Sequence, residues 1–150
     1  MAKVDVSVIL ACYNEGPTFE KSVSQIISVL NKTRKTYEII FIEDKSSDDT
    51  KKTVENLTLK IAESRAIYHQ RNLGRGKSVA DGIKEAKGEI CGYLDVDLEV
   101  SPNYIPLFVA EIESGADIVV GKRFYERSFK SLTRFIASKI YAFFVKIFLN

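Results

Sequence analysis

"YEIIFIEDKSSDDTKKTVENL", residues 37–57, changes character twice along its length. From Tyr37 to Glu43 it is a nearly continuous apolar run of strand length, with three isoleucines and a phenylalanine. Such a run marks a strand covered on both faces. It stops at the acids Glu43 and Asp44. A Ser/Asp cluster follows, in which Ser46 or Ser47 is placed to cap a helix. Val54, Leu57 and Ile61 then recur at helical spacing. Strand, polar end and helix make half of a β-α-β unit.

The same alternation runs along the chain. Residues 4–11 are a second apolar run, ahead of a segment opened by Pro17 with Phe19, Val23, Ile26, Ile27 and Leu30 at helical spacing. Residues 66–70 read as a weaker strand, and 77–87 as a helix ended by Gly88 at its C′ position. Residues 89–94 form another strand. Ser101 and Pro102 then open a helix with the stripe Ile105, Phe108, Val109 and Ile112, closing before Gly115. Residues 117–121 are predicted as one more strand. Apolar strands alternating with helices define an α/β domain, Rossmann-like, with a mostly parallel sheet and helices on both faces. With 45% hydrophobic and 28% charged residues in a chain of 150, the composition is that of a folded globular domain rather than a disordered chain.

Cys12 and Cys91 lie in apolar runs without a CxxC partner, so both read as buried reduced thiols. The N-terminus carries no secretory pattern. Both features fit a cytoplasmic setting. Charge is unevenly spread: Lys122, Arg123, Arg127, Lys130, Arg134, Lys139 and Lys146 face one acid, Glu126, after residue 121.

Open parallel sheets bind ligands beyond the carboxyl ends of their strands. Those ends are "YNEG" (13–16), "EDKSSDDT" (43–50), "QRNLGRGKS" (70–78), "DVDLE" (95–99) and "GKRF" (121–124). In "DVDLE", Asp95, Asp97 and Glu99 share a side for as long as the chain stays extended. Like charges so close repel, and a hard cation such as Mg²⁺ or Mn²⁺ resolves the repulsion while keeping sites open for phosphate. An acidic turn capping the helix near Pro102 is the alternative. In "NLGRGKS", Arg71 stands where a P-loop needs its first glycine, and Val79 stands where a dinucleotide fingerprint needs its third. A glycine loop opening a helix still brings backbone N–H groups toward a nucleotide.

Taken in order, "VILACYNEG", "EDKSSDDT", "NLGRGKSVADGIKEAKG", "DVD" and "GKR" resemble the motifs of family 2 glycosyltransferases of the GT-A fold. Within that family the likeness is greatest to the dolichol-phosphate mannose synthase type of polyprenyl-phosphate sugar transferase. The resemblance implies transfer of a sugar, with inversion, from a UDP- or GDP-linked donor to a lipid phosphate. It assigns Tyr13, Glu15 and Asp44 to the nucleoside pocket, Asp95 and Asp97 to the metal and diphosphate, and Glu99 to a third metal position. Asp97 and Arg123 would act in catalysis, and Arg123 and Arg134 would contact phosphates. The sequence departs from the family at Ala11, usually proline, at Glu43 and Lys45, usually Asp and Gly, and at Lys122, usually serine. These departures bear on base and sugar preference.

A hydroxyl acceptor needs a general base, whereas a phosphate acceptor is already ionised near neutral pH. No acid follows Glu126. That fits a phosphate acceptor, and equally a chain that continues past Asn150 with the base on a missing segment. A glycan hydroxyl acceptor and a nucleotide-binding module without turnover are therefore the alternatives. Residues 1–127 are read as the nucleotide-sugar-binding domain and 128–150 as a basic amphipathic helix. Lys130, Arg134, Lys139 and Lys146 interrupt its apolar residues, which suits a membrane interface or a helix packed on the sheet. No nucleic-acid module accompanies the basic cluster, so the expected partners are a nucleotide sugar and a lipid phosphate at a membrane's cytoplasmic face.

Overall fold

The computed structural model describes residues 3–121. Strands β1 (Val6–Cys12), β2 (Tyr37–Glu43), β3 (Ser64–Tyr68) and β4 (Ile90–Tyr93) form one parallel sheet in the order β3-β2-β1-β4. Helices α1 (Phe19–Lys32), α2 (Thr50–Lys60) and α3 (Arg75–Glu85) connect them, and α4 (Ile105–Glu113) follows β4 after a 3-10 turn at Pro102–Tyr104.

Topology dictates which face each helix covers. The chain steps outward from β1 to β2 to β3, then crosses back to β4 on the far side of β1. Right-handed crossovers therefore put α1 and α2 on one face and α3 on the other. Phe19, Val23, Ile26 and Leu30 of α1, Val54 and Leu57 of α2 and Val109 of α4 form one core with Val8, Leu10 and Phe41. Phe19 meets Phe41 edge to face, with centroids 6.1 Å apart. On the opposite face Ile9, Ile40 and Ile42 form a smaller core, against which α3 lies close enough that a Cβ on Gly82 would stand 2.5 Å from Ile9 Cγ2. Cys12 pairs with Glu43 and Glu43 with Tyr68, so β1, β2 and β3 end level in a polar rim.

At the other end of the sheet a charged network closes the α3–β4 connection. The buried Glu38 accepts from Ser7 Oγ (2.7 Å), Lys87 N (2.7 Å) and Arg65 Nε (3.0 Å), and Ser7 Oγ accepts in turn from Gly88 N at 2.8 Å. Burial opposes ionisation of Glu38, but these donors outweigh it and hold the carboxyl below its usual range. Gly88 is thus not the C′ residue of α3, which ends at Glu85 with Ala86 already extended. Its lack of a side chain serves close approach, because a Cβ there would sit 2.5 Å from Ser7 N and 2.8 Å from Val6 C. Backbone of a central strand cannot give way, so Gly88→Ala is expected to destabilise the domain by about 2 kcal/mol. A urea unfolding midpoint equal to the parent's would contradict this.

Four other expectations need correction. Helix α2 starts from Asp49, not Ser46 or Ser47; Thr50 N donates to Asp48 Oδ1, and the serines bind Asn14 instead. Residues 117–121 join no strand of the sheet described, and Ile118 and Val120 are exposed. Cys12 is buried, but Cys91 lies on β4, the outermost strand among the described residues, and is exposed. The chain also does not stay extended through Glu99: a turn forms at Val96–Asp97, closed by Leu98 N donating to Asp95 O at 3.2 Å, and Leu98 adopts φ 54°. Arg123, Arg134, the "GKRF" strand end beyond Gly121 and the segment 128–150 lie outside the described residues.

Candidate nucleotide-sugar site

With β2 and β3 on one side of β1 and β4 on the other, the connections diverge at the carboxyl ends of β1 and β4, and a crevice opens there. A cleft of about 360 Å³ occupies that place, at the size expected for a small-molecule site. Its lining draws on every strand end: Tyr13 and Glu15 after β1, Asp44 after β2, Asn72, Gly74, Arg75 and Ser78 around the start of α3, and Asp95 and Asp97 after β4. Five of the residues singled out in the sequence, Tyr13, Glu15, Asp44, Asp95 and Asp97, meet in one cleft.

Asp44 is the most constrained of them. It is 2% exposed, and both its carboxylate oxygens accept hydrogen bonds. Oδ1 accepts from His69 Nδ1 (2.7 Å) and Leu73 N (2.8 Å), and Oδ2 accepts from Gly74 N (2.7 Å). Burial works against the charge, yet the His69 ring and the two backbone N–H groups prevail and keep the carboxyl below its normal range. The glycine loop's first N–H groups are therefore spent on Asp44, which anchors the loop. His69 is itself buried, with Nε2 3.3 Å from Asp81 Oδ2.

The first two loops are tied together. Asn14, at φ 55°, donates N–H to Ser46 Oγ and accepts from Ser47 N, while Glu15 N donates to Thr50 Oγ1. Glu43, level with Cys12, accepts from Ser46 N at 2.6 Å. Tyr13 stays half-exposed at the cleft.

After β4 the chain turns at Val96–Asp97, with Leu98 N donating to Asp95 O at 3.2 Å, and that turn sorts the side chains. Val96 is buried in the core, while Asp95 and Asp97 line the cleft. The turn then takes Glu99 out of the lining, and its N–H donates to Asp97 Oδ1 at 3.0 Å. Among the described residues no three His, Cys, Asp or Glu side chains converge as a metal cluster. Two carboxylates with open positions are still the donor set by which Mg²⁺ or Mn²⁺ is held together with substrate phosphates. The electrostatics agree. Burial pushes the Glu15 carboxyl above its usual range, and Asp97, Asp48 and Asp95 push it further, against the pull of the Tyr13 N–H. Among the described residues the cleft lining carries more carboxylates (Glu15, Asp44, Asp95 and Asp97) than cations (Arg75), which fits a cation.

That excess has a measurable cost. A carboxyl whose folded pKa exceeds its unfolded value destabilises the fold above that range and ceases to do so below it. Glu15→Gln is thus expected to raise the thermal midpoint near neutral pH, with the gain fading as pH falls through the carboxylate range. The gain stays below about 1 kcal/mol because the group is partly solvated. A gain independent of pH would refute the assignment.

Asn72, Arg75, Ser78 and His69 escaped the sequence reading. Arg75 had a usable signal, a cation between two glycines where a strand end meets a helix. His69 had none beyond being the single histidine.

The sheet, its helices and the cleft define the class of fold as GT-A. The similar solved structures include a mannosyltransferase from Pyrobaculum calidifontis in complex with GDP-Man and Mn²⁺ (TM-score 0.59, 21% identity, 70% of this chain and 31% of that one). Another is S. aureus TarS 1-349 in complex with UDP (TM-score 0.57, 24% identity, 83% and 39%). The chain belongs to glycosyl transferase family 2, whose family model matches residues 7–144. It is 34% identical over 119 residues to a dolichol-phosphate mannosyltransferase from Pyrococcus furiosus, covering 79% of this chain and 33% of that protein. It is 32% identical over 120 residues to an undecaprenyl-phosphate 4-deoxy-4-formamido-L-arabinose transferase from Proteus mirabilis, covering 79% and 36%. The chain thus spans about a third of the length of these curated relatives.

Proposed function

We propose that this chain carries the nucleotide-sugar half of a metal-dependent glycosyltransferase that moves a sugar, with inversion, from a UDP- or GDP-linked donor to a polyprenyl phosphate. The observation that carries the reading is the single cleft that gathers Tyr13, Glu15, Asp44, Asp95 and Asp97 at the switch point of the sheet. The family membership and the two relatives, both named for polyprenyl-phosphate sugar transfer, support it.

In this reading Tyr13 packs on the base, Glu15 faces the nucleoside and Asp44 holds the loop that floors the pocket. Asp95 and Asp97 hold Mg²⁺ or Mn²⁺ against the diphosphate, with Glu99 as a third donor reached by a change in the 97–99 turn. The cation supplies electrostatic stabilisation of charge on the departing phosphate. Arg123 and Arg134 add positive charge to the phosphates in this proposal. The acceptor phosphate is ionised at neutral pH and attacks without a general base. A lipid phosphate places the reaction at a membrane surface, on its cytoplasmic face in this reading. Among the described residues no helix is long and apolar enough to cross a membrane.

Calorimetric titration with UDP- and GDP-sugars tests the donor half, and binding that requires Mn²⁺ or Mg²⁺ is expected for one base. Absence of binding for both would overturn the reading. Transfer by the full-length protein to undecaprenyl phosphate, and not to a free glycan, is the expected acceptor result.

A further inference from the structure

Arg75 is the one cationic side chain among the described residues that line the cleft, where Glu15, Asp44, Asp95 and Asp97 supply the negative charge. Its position is set from below. Gly74, at φ 84°, turns the chain into α3, and Asp44 Oδ2 fixes its N–H. The first residue of the helix is then Arg75, with Nη1 3.1 Å from Asp95 Oδ1. The pair faces solvent, the two side chains being 70% and 30% exposed. Exposed ion pairs contribute little net stability, so this one exchanges partners at small cost.

We infer that Arg75 is an exchangeable counter-ion that couples cation binding to diphosphate binding. In the pairing seen here it neutralises Asp95, the carboxylate that a divalent cation needs. A cation arriving by itself must displace the guanidinium and leave it without a partner. A cation arriving with a nucleoside diphosphate frees Arg75 to take the phosphate oxygens, for which its planar fork is well matched. Cation and diphosphate then assist each other's binding, and the linkage is reciprocal. A nucleoside monophosphate, lacking the second phosphate, gains little. This inference rests on the nucleotide-sugar reading of the cleft.

The test compares the parent protein with Arg75→Leu and Arg75→Lys by calorimetry. Mn²⁺ without nucleotide is expected to bind Arg75→Leu about threefold more tightly, since its competitor for Asp95 is gone. UDP or GDP with Mn²⁺ is expected to bind about tenfold more weakly, the worth of one charge-assisted contact. UMP and GMP should shift by less than about twofold, and Arg75→Lys should fall between parent and leucine variant because it keeps the charge but loses the fork. Thermal midpoints should coincide, which excludes a folding defect. Equal diphosphate affinity in parent and Arg75→Leu would overturn the role of Arg75 alone. A parent that binds neither UDP nor GDP would instead bring down the nucleotide-sugar reading, and this inference with it.

Discussion

Asp97→Ala is expected to lower sugar transfer by about a thousandfold while leaving the thermal midpoint unchanged, because in the proposed mechanism it removes electrostatic support for the leaving phosphate. The two halves of this expectation have separate structural grounds. Asp97 is exposed, and the contact its carboxylate makes on Oδ1 is to the N–H of Glu99, within its own turn. Little of the fold depends on it, and substitutions at such surface positions fall within about 0.5 kcal/mol. In the cleft, however, it is one of two carboxylates past β4 that face the crevice. With Asp95 left to hold a cation alone, affinity for a diphosphate–Mn²⁺ complex should fall in parallel with turnover. Titrating UDP and GDP with and without Mn²⁺ reads the binding half without any acceptor. A variant whose nucleotide affinity still responds to Mn²⁺ as the parent's does would remove Asp97 from the metal site.

Local pattern carried far in this chain, and it failed where the determinant was contact across the fold. Strand β2 was legible to the residue because "YEIIFIE" is apolar between two polar edges and central in the sheet. The DxD pair was legible for a related reason. Asp95 and Asp97 flank Val96, and the valine is buried in the core while both acids line the cleft, although a turn and not an extended strand sets them there. Glu99 continues the spacing on paper, but the chain already turns at Val96–Asp97 and Leu98 is left-handed, and no residue type in "DVDLE" announces that turn. Gly88 resembled a helix C′ glycine. Its requirement comes from Ser7 and Val6, far away in sequence, so no local window could reveal it. His69 was invisible for the same reason, since its partner Asp44 lies in another strand end; Arg75 stood out between its two glycines, but its pairing with Asp95 did not.

Asp44→Ala should be the most damaging single change to both stability and the site, costing about 3 kcal/mol, as expected when one partner of a buried charged network is removed. Three donors lose a bond together: the buried His69 ring, the N–H of Leu73, and the N–H of Gly74, which keeps only its weaker bond to Asn72 Oδ1 at 3.1 Å. Asp44→Asn keeps the shape but turns an amide NH₂ toward one of those donors, so it should recover only part of the loss. The pH dependence fixes the sign. Asp44 has a folded pKa below its unfolded value, so its contribution is complete above the ordinary carboxylate range and is lost as pH falls through the folded value. The gap in urea midpoint between parent and Asp44→Ala should therefore be widest near neutral pH and close on acidification. The same variant separates two roles. The family resemblance assigns Asp44 to the nucleoside pocket, and in the structure both its oxygens also accept from the protein, so part of its effect on nucleotide binding is expected to run through the loop that carries Arg75. Nucleotide affinity lost together with stability fits that anchor. Affinity lost at an unchanged urea midpoint would make Asp44 a direct ligand instead.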